Sequence, residues 1–248
     1  MEKTRYRDIV VHYRENTSDV DVIDHSFDKD IFLTSIPYFK LKGKNVLVDI
    51  GAHIGTFSLL FAATKTLAKA YAIEPAVETY NVLEKNISEN SLSEFIIPCK
   101  VALSDSLGES NLYHDLESGN WGHSISKKLS DSFEQVKTQT PDYFFESRNI
   151  KRCDLIKFNC EGAEFEIIES MSKTTMKKIR TWIILYHEDI NKNGDHKKII
   201  NKLRNSGFIV NHIRVSDDGK RGWITATNEY LNYYKYSLIT HIKKLFNF

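Results

Sequence analysis

The stretch Val46–Ser58 constrains the fold of this chain most, because it combines a strand, a glycine turn and the start of a helix. It reads V-L-V-D-I-G-A-H-I-G-T-F-S, and the apolar residues around Asp49 are typical of a parallel strand buried on both faces. After the turn, Phe57, Leu60 and Phe61 follow the i, i+3, i+4 spacing of an apolar helix. Glycines let a backbone approach a ligand closely, and a helix N-terminus offers unpaired N–H groups. The stretch therefore predicts a ligand-binding turn.

The glycine spacing selects between ligand classes. Gly51 and Gly55 follow a G-x-x-x-G pattern, whereas a dinucleotide fingerprint needs G-x-G-x-x-G and a P-loop needs G-K-[ST]. A second strand that ends in an acidic residue is expected about 20 residues later, where a carboxylate can hold ribose hydroxyls. The stretch Ala70–Glu74 meets this requirement. Together with Asp49, the pattern resembles the nucleoside site of class I S-adenosylmethionine-dependent methyltransferases; a buried turn with a surface carboxylate is the alternative.

The composition is that of an ordinary globular protein. The 248 residues are 41% hydrophobic and 27% charged, with a formal net charge of +1. A chain of this length can bury a substantial core, and its near-neutral charge gives no global field to attract nucleic acid. Cys99, Cys153 and Cys160 lack C-x-x-C spacing, which indicates reduced, core-type cysteines. Because neither a signal peptide nor an apolar run of about 20 residues is present, we expect a soluble cytoplasmic protein.

Alternating strand and helix patterns predict an α/β sheet with helices on both faces and a C-terminal antiparallel hairpin. Beyond the turn, the predicted strands cover residues 70–74, 95–101, 110–114, 133–138, 153–160, 181–187, 208–215 and 222–227. Thr140-Pro141 predicts a helix start, with Thr140 as N-cap. We expect a methyltransferase-like domain over 43–228, preceded by an extension over 1–42. Strand-like patterns at 6–13 and 19–23 and a helix at 28–39 lie in that extension, which is either a substrate-side cap or a layer covering the sheet.

Five stretches occur along the chain in an order that identifies a family. They are V-D-I-G-A-H-I-G-T-F-S at 48–58, I-E-P at 73–75, A-L-S-D-S-L-G at 102–108, T-P-D-Y-F at 140–144 and I-K-F-N-C-E-G-A-E-F-E at 156–166. Together they resemble the FkbM family of methyltransferases over roughly residues 43 to 190. The resemblance implies a Rossmann-like class I sheet of seven strands and S-adenosylmethionine as methyl donor. It also implies O-methylation, often of sugar or polyketide hydroxyls.

The resemblance assigns a donor site by position. The implied residues are Asp49, Gly51, Ala52, His53, Gly55, Glu74, Ser104, Asp105 and Asn159. The turn would face the methionine part of the donor, and Glu74 would accept both ribose hydroxyls in a charge-assisted pair. Ser104 and Asp105 would flank the adenine, although a capped turn is an alternative for this pair. Asn159 replaces the usual Asp of the family, so it keeps hydrogen-bonding capacity without the charge of a base or hard-metal ligand.

Methylation of a sugar hydroxyl requires a group that accepts its proton. His187 ends a predicted strand beside Glu188-Asp189, where a carboxylate could raise its pKa. Glu161 directly follows the strand nearest the methyl group, so it either orients the acceptor or stabilises a helix dipole. His123 lies in a loop that resembles a family loop near the acceptor. These three are the catalytic candidates, and the absence of H-x-x-x-H or H-E-x-x-H spacing predicts no structural metal site, with a catalytic Mg²⁺ as the open alternative.

The predicted acceptor is a small molecule, either a sugar or a glycoconjugate, and nucleic acid is not expected. A polyketide hydroxyl is the alternative acceptor, and a donor-binding module without turnover is the alternative of a different class. The C-terminal stretch 229–248 carries an apolar stripe at helical spacing. Such a helix could contact a membrane surface, join a homodimer or dock on the chain itself.

Overall fold

The computed structural model describes residues 1–28, 44–64, 67–114, 123–125, 128 and 130–228. The predicted helix at 28–39 and the predicted C-terminal helix at 229–248 lie outside these residues, apart from Asp28. None of the helices in the described residues is long and apolar enough to cross a membrane.

Strands and helices alternate along most of the chain. In chain order the strands are β1 (Glu2–Tyr6), β2 (Ile9–Tyr13), β3 (Asn45–Ile50), β4 (Leu67–Ile73), β5 (Ile96–Cys99), β6 (Ala102–Leu103), β7 (Gly108–Tyr113), β8 (Phe133–Gln139), β9 (Leu155–Phe158), β10 (Thr181–His187), β11 (Phe208–Arg214) and β12 (Arg221–Asn228). The helices are α1 (Asp19–Ile23), α2 (Thr56–Ala63), α3 (Val77–Glu89), α4 (Pro141–Ser147), α5 (Glu164–Ser170), α6 (Lys173–Met176) and α7 (His196–Asn205). A π-helical turn, Asp24–Asp28, follows α1.

The central sheet has seven strands in the order β11-β12-β10-β9-β3-β4-β5. Five adjacent strands of this sheet run parallel to one another: β10, β9, β3, β4 and β5. Strand β12 is antiparallel to both β10 and β11. This arrangement confirms the predicted Rossmann-like sheet with its C-terminal antiparallel hairpin. The carboxyl ends of β3, β4 and β9 meet at one edge, which is where open α/β sheets bind ligands.

The two faces of the sheet carry separate cores because successive side chains of a strand point to opposite sides. Leu47 and Leu155 pack with Phe57 of α2 on one face, whereas Val48 and Ile156 belong to the cluster on the other. All five side chains are buried. The near-continuous apolar runs in β3 and β9 are therefore explained by burial on both faces.

Two sequence expectations need correction. The segments predicted at 110–114 and 133–138 do form strands, but they pair in a separate three-stranded sheet, β6-β8-β7, and do not join the central sheet. The alternating pattern at 19–23 forms helix α1 and not a strand. Asp19 and Asp21 lie in its first turn, where carboxylates favour the helix dipole. The predicted N-cap Thr140 is confirmed, since its side chain accepts a hydrogen bond from the backbone of Tyr143.

The N-terminal hairpin β1–β2 is held against α3 by two asparagine side chains. Asn86 accepts from the backbone N–H of His12 at 2.6 Å and donates to its carbonyl at 3.1 Å. Asn90 makes the same pair of contacts with Val10, at 2.8 and 2.7 Å. Because these amides satisfy strand groups that lack a sheet partner, they anchor the segment on the main domain.

Candidate active site

A cavity opens at the carboxyl ends of β3, β4 and β9. Gly51, Ala52 and His53 form its wall after β3, and Glu74 forms the wall after β4. Asn159 and the residues after it contribute from the end of β9. Most of the residues assigned to the donor from the sequence are thus brought together in one cavity.

Tight backbone contact shapes the turn after β3. Gly51 and Gly55 adopt φ values of 71° and 89°, and His53 also has a positive φ of 53°. A Cβ atom on Gly51 would lie only 1.8 Å from the carbonyl oxygen of Asn159. Gly51 therefore permits two loops to touch at the floor of the cavity, and only glycine fits there. Gly55 precedes α2 as its N-cap.

Glu74 faces this turn. Its carboxylate accepts hydrogen bonds from the backbone N–H groups of His53 and Ala76, both at 3.0 Å. The residue is 7% exposed, and burial raises its pKa to about 7, although the two N–H donors oppose the rise. The carboxylate is therefore held in position by backbone groups, and no charged partner contacts it directly among the described residues.

Asp49 is buried behind the cavity and does not belong to its described lining. It accepts a hydrogen bond from Ser58 at 2.8 Å and pairs with the ammonium of Lys157 at 3.0 Å. Lys157 in turn donates to the carbonyl of Gly51 at 2.6 Å and reaches the cavity. Asp49 thus supports the turn through Lys157. Sequence reasoning gave Lys157 no role, although a lysine within an apolar strand signals a paired buried charge.

The adenine pair lies next to the cavity and not in its described lining. Ala102 and Leu103 line the cavity, whereas the Ser104 hydroxyl donates to the Asp105 carboxylate at 3.2 Å. The backbone of Ser104 also bonds to Gln139 of β8. The adenine role of this pair stays a prediction.

Asn159 lines the cavity and carries an unsatisfied acceptor. Its Oδ1 atom is buried and accepts no hydrogen bond from the described part of the chain. A buried acceptor without a partner costs free energy, so a ligand that donates at this point would be stabilised. The amide can accept from a ligand ammonium without contributing a charge of its own.

The three catalytic candidates occupy different positions. Glu161 lines the cavity with a side chain that is 15% exposed. His187 lies behind it, 1% exposed, with Nε2 3.7 Å from Glu161 and Nδ1 3.3 Å from Glu164. Burial alone would lower the pKa of His187, but these two carboxylates raise it to about 9. His123 lines the cavity from its loop, with its ring edge-on to His114 at 4.8 Å.

The N-terminal segment contributes to the same cavity. Val22 and His25 line it, and neither was assigned a role from the sequence. Behind them, the His53 ring lies 3.3 Å from the Ser18 hydroxyl and 3.7 Å from the Asp19 carboxylate. Burial lowers the pKa of His53 to about 4 despite that carboxylate, so the ring is neutral.

A separate group of potential metal ligands is formed by Glu188, Asp195 and His196. Their ligand atoms lie within 4.8 Å of one another among the described residues. Glu188 accepts from the ring of His196 at 2.6 Å, and the group does not belong to the described lining of the cavity. Glu188 is therefore engaged away from the candidate active site.

The cavity suits S-adenosylmethionine on three counts. It offers a held carboxylate, Glu74, for ribose hydroxyls. The glycine turn leaves backbone open to close approach, and the Asn159 oxygen can accept from an ammonium group. The chemical groups that these residues offer therefore match the groups that S-adenosylmethionine carries.

Comparisons with known proteins also indicate a methyltransferase. A family model described as the methyltransferase FkbM domain matches residues 49–210. Hexuronic acid methyltransferase AglP of Haloferax volcanii is 25% identical over 173 residues, which cover 70% of this chain and 68% of the relative. Methyltransferase 1 of Beauveria bassiana is 25% identical over 182 residues, which cover 66% of this chain and 72% of the relative.

Among solved structures, the delta-N METTL16 methyltransferase domain superposes with a TM-score of 0.50 at 14% identity. The match covers 89% of this chain and 88% of that domain, and it shows a shared fold. Since the family model spans more than half of the sequence, this chain belongs to the FkbM methyltransferase family and is an S-adenosylmethionine-dependent methyltransferase.

Proposed function

We propose that this enzyme methylates a hydroxyl group of a small-molecule acceptor that contains a sugar. The observation that carries the proposal is the Glu161 carboxylate, which lines the same cavity as Glu74 and has the His187 ring behind it. A hydroxyl is a poor nucleophile, and a carboxylate at this position can remove its proton. The hexuronic acid methyltransferase relative supports a sugar acceptor.

The residues around the cavity divide into donor and acceptor groups. For the donor, we assign Glu74 to the ribose hydroxyls and Asn159 to the ammonium group, with the turn from Gly51 to Gly55 against the methionine part. Asp49 acts behind this turn through its ion pair with Lys157. Ser104 and Asp105 remain our proposal for the adenine.

When bound, S-adenosylmethionine supplies a methyl group whose carbon–sulfur electron pair stays with sulfur as the acceptor oxygen takes the carbon. Glu161 receives the hydroxyl proton, so the carboxylate loses its negative charge as the sulfonium loses its positive charge. His187 does not belong to the described lining of the cavity, and its neighbouring carboxylates raise its pKa to about 9, so we assign the proton to Glu161 and not to His187. His123 and His25 lie on the cavity wall, where they can orient the acceptor.

The direct test measures donor binding and methyl transfer separately. We expect S-adenosylhomocysteine to bind in calorimetry and radiolabelled methyl groups to reach at least one nucleotide sugar or glycan in a panel. Mass spectrometry should then locate the methyl group on a hydroxyl oxygen. Transfer only to polyketide hydroxyls would overturn the sugar assignment, and binding without transfer to any acceptor would favour a donor-binding module.

We also propose that the N-terminal extension acts as a substrate-side cap, because Val22 and His25, in its described residues 1–28, line the cavity. A cytoplasmic location fits the three cysteines, all of which are free thiols. Membrane contact or dimerisation through residues 229–248 stays a prediction, which sedimentation of the purified chain with and without anionic vesicles would test.

Donor affinity should depend on pH through Glu74. In the ligand-free protein its pKa is raised to about 7, chiefly by burial, and ribose hydroxyls donate to the ionised form. If only that form binds, affinity for S-adenosylhomocysteine should rise about tenfold from about pH 6 to about pH 8. Calorimetry across this range checks the prediction, and a constant dissociation constant would contradict it.

A further inference from the structure

Glu164 lies at the start of α5 and is buried to 0% exposure, although it is a carboxylate. One oxygen, Oε1, accepts the backbone N–H of His187 at 2.6 Å and lies 3.3 Å from Nδ1 of the same residue. The other oxygen, Oε2, accepts the N–H of Gly162 at 3.0 Å and the thiol of Cys160 at 3.5 Å. A single buried side chain thus joins the end of β10 to the turn that follows β9.

That turn carries Glu161 in a conformation that needs support. Glu161 has a φ of 49°, an uncommon value for a residue other than glycine. Its carbonyl oxygen accepts the Ser124 hydroxyl at 3.0 Å, and its carboxylate lies 3.7 Å from Nε2 of His187. The imidazole therefore stands between two carboxylates, one buried in the interior and one at the cavity.

We propose that Glu164 and His187 are positioning residues that hold the Glu161 carboxylate toward the acceptor hydroxyl. Glu164 fixes the ring of His187 through the Nδ1 side, so that Nε2 is directed at Glu161. The proposal rests on the proposed function, in which Glu161 accepts the proton. It adds a role for Glu164, a residue without contact to the cavity in the described structure.

The charged groups around Glu161 and His187 affect the pKa values of both side chains. Burial raises the pKa of Glu161 above its ordinary value, and the positive charge of a protonated His187 opposes this rise. Among the described residues, the other charged groups that act on this pair include Arg221 of β12 and Asp189, which are bound to each other at 2.8 Å. The Arg221 charge is therefore largely balanced by Asp189, which leaves the two glutamates to decide the state of His187.

The substitution Glu164→Gln tests the proposal. In wild-type protein, nuclear magnetic resonance should show both ring nitrogens of His187 protonated at about pH 7. In the variant, we expect the ring to titrate at a lower pH. We expect kcat to fall between tenfold and a hundredfold, with the KM of the acceptor and the affinity for S-adenosylhomocysteine within about twofold of wild type. In a plot of kcat against pH, the acidic limb should also shift along the pH axis.

Glu166→Gln is the matched control, because Glu166 lies on the same helix and contacts Asn191 without touching His187. It should leave both the titration and kcat unchanged. If Glu164→Gln does not fold, His187→Gln provides the same kinetic comparison. An unchanged kcat in the Glu164→Gln variant, or equal effects of the two glutamate variants on kcat, would overturn the proposal. Because titration and donor binding need no acceptor, failure of the proposed sugar specificity would be recognised separately.

Discussion

Replacing Gly51 by alanine is expected to destabilise the protein by at least about 3 kcal/mol, or to prevent folding. The added Cβ would lie 1.8 Å from the carbonyl oxygen of Asn159, which belongs to backbone and cannot move aside as a flexible side chain would. The positive φ of 71° adds a conformational cost of about 1 to 2 kcal/mol for a residue with a Cβ. Chemical denaturation followed by circular dichroism measures the loss.

The matched control for this substitution is Gly207→Ala. Gly207 also has a positive φ, 88°, but a Cβ there would meet nothing within 4 Å. It should therefore cost only the conformational term of about 1 to 2 kcal/mol. If the two variants lost equal amounts of unfolding free energy, the close approach between the turn and the end of β9 would not be a determinant of the fold.

Replacing Glu74 by glutamine should reduce the affinity for S-adenosylhomocysteine by at least about a hundredfold. Two hydrogen bonds to a charged carboxylate contribute about 1.5 to 3 kcal/mol each, and a tenfold change corresponds to about 1.4 kcal/mol. The two backbone N–H donors bind different oxygens of Glu74, so glutamine keeps one of these two hydrogen bonds and we expect the variant to fold. Calorimetry at about pH 8, where the wild-type carboxylate is mostly ionised, gives the clearest comparison.

Glu78→Gln serves as the control for Glu74→Gln. Glu78 lies nearby on α3 with a side chain that is 87% exposed, so its loss should leave donor affinity unchanged. Thermal unfolding of both variants separates lost binding from lost structure. An unchanged affinity in folded Glu74→Gln would remove the ribose assignment and, with it, the donor site as we describe it.

Much of the fold was predictable because its signals are local. The apolar run of β3, the glycine spacing after it and the acidic end of the following strand each follow from backbone and burial rules that act over a few residues. The cap at Thr140 is equally local, since its side chain bonds to Tyr143 three residues later. The separate sheet formed by β6, β7 and β8 was not predictable, because strand patterns do not reveal which strands pair.

The sequence by itself determined the class of this protein: a parallel sheet, a glycine turn around Gly51 and a carboxylate at Glu74 after the following strand. Only the tertiary structure decided that His187 is buried between Glu161 and Glu164, and that Asp49 acts through Lys157. The physical reason is that a strand's apolar pattern reports its own burial, whereas the charge state of a side chain depends on partners distant in sequence.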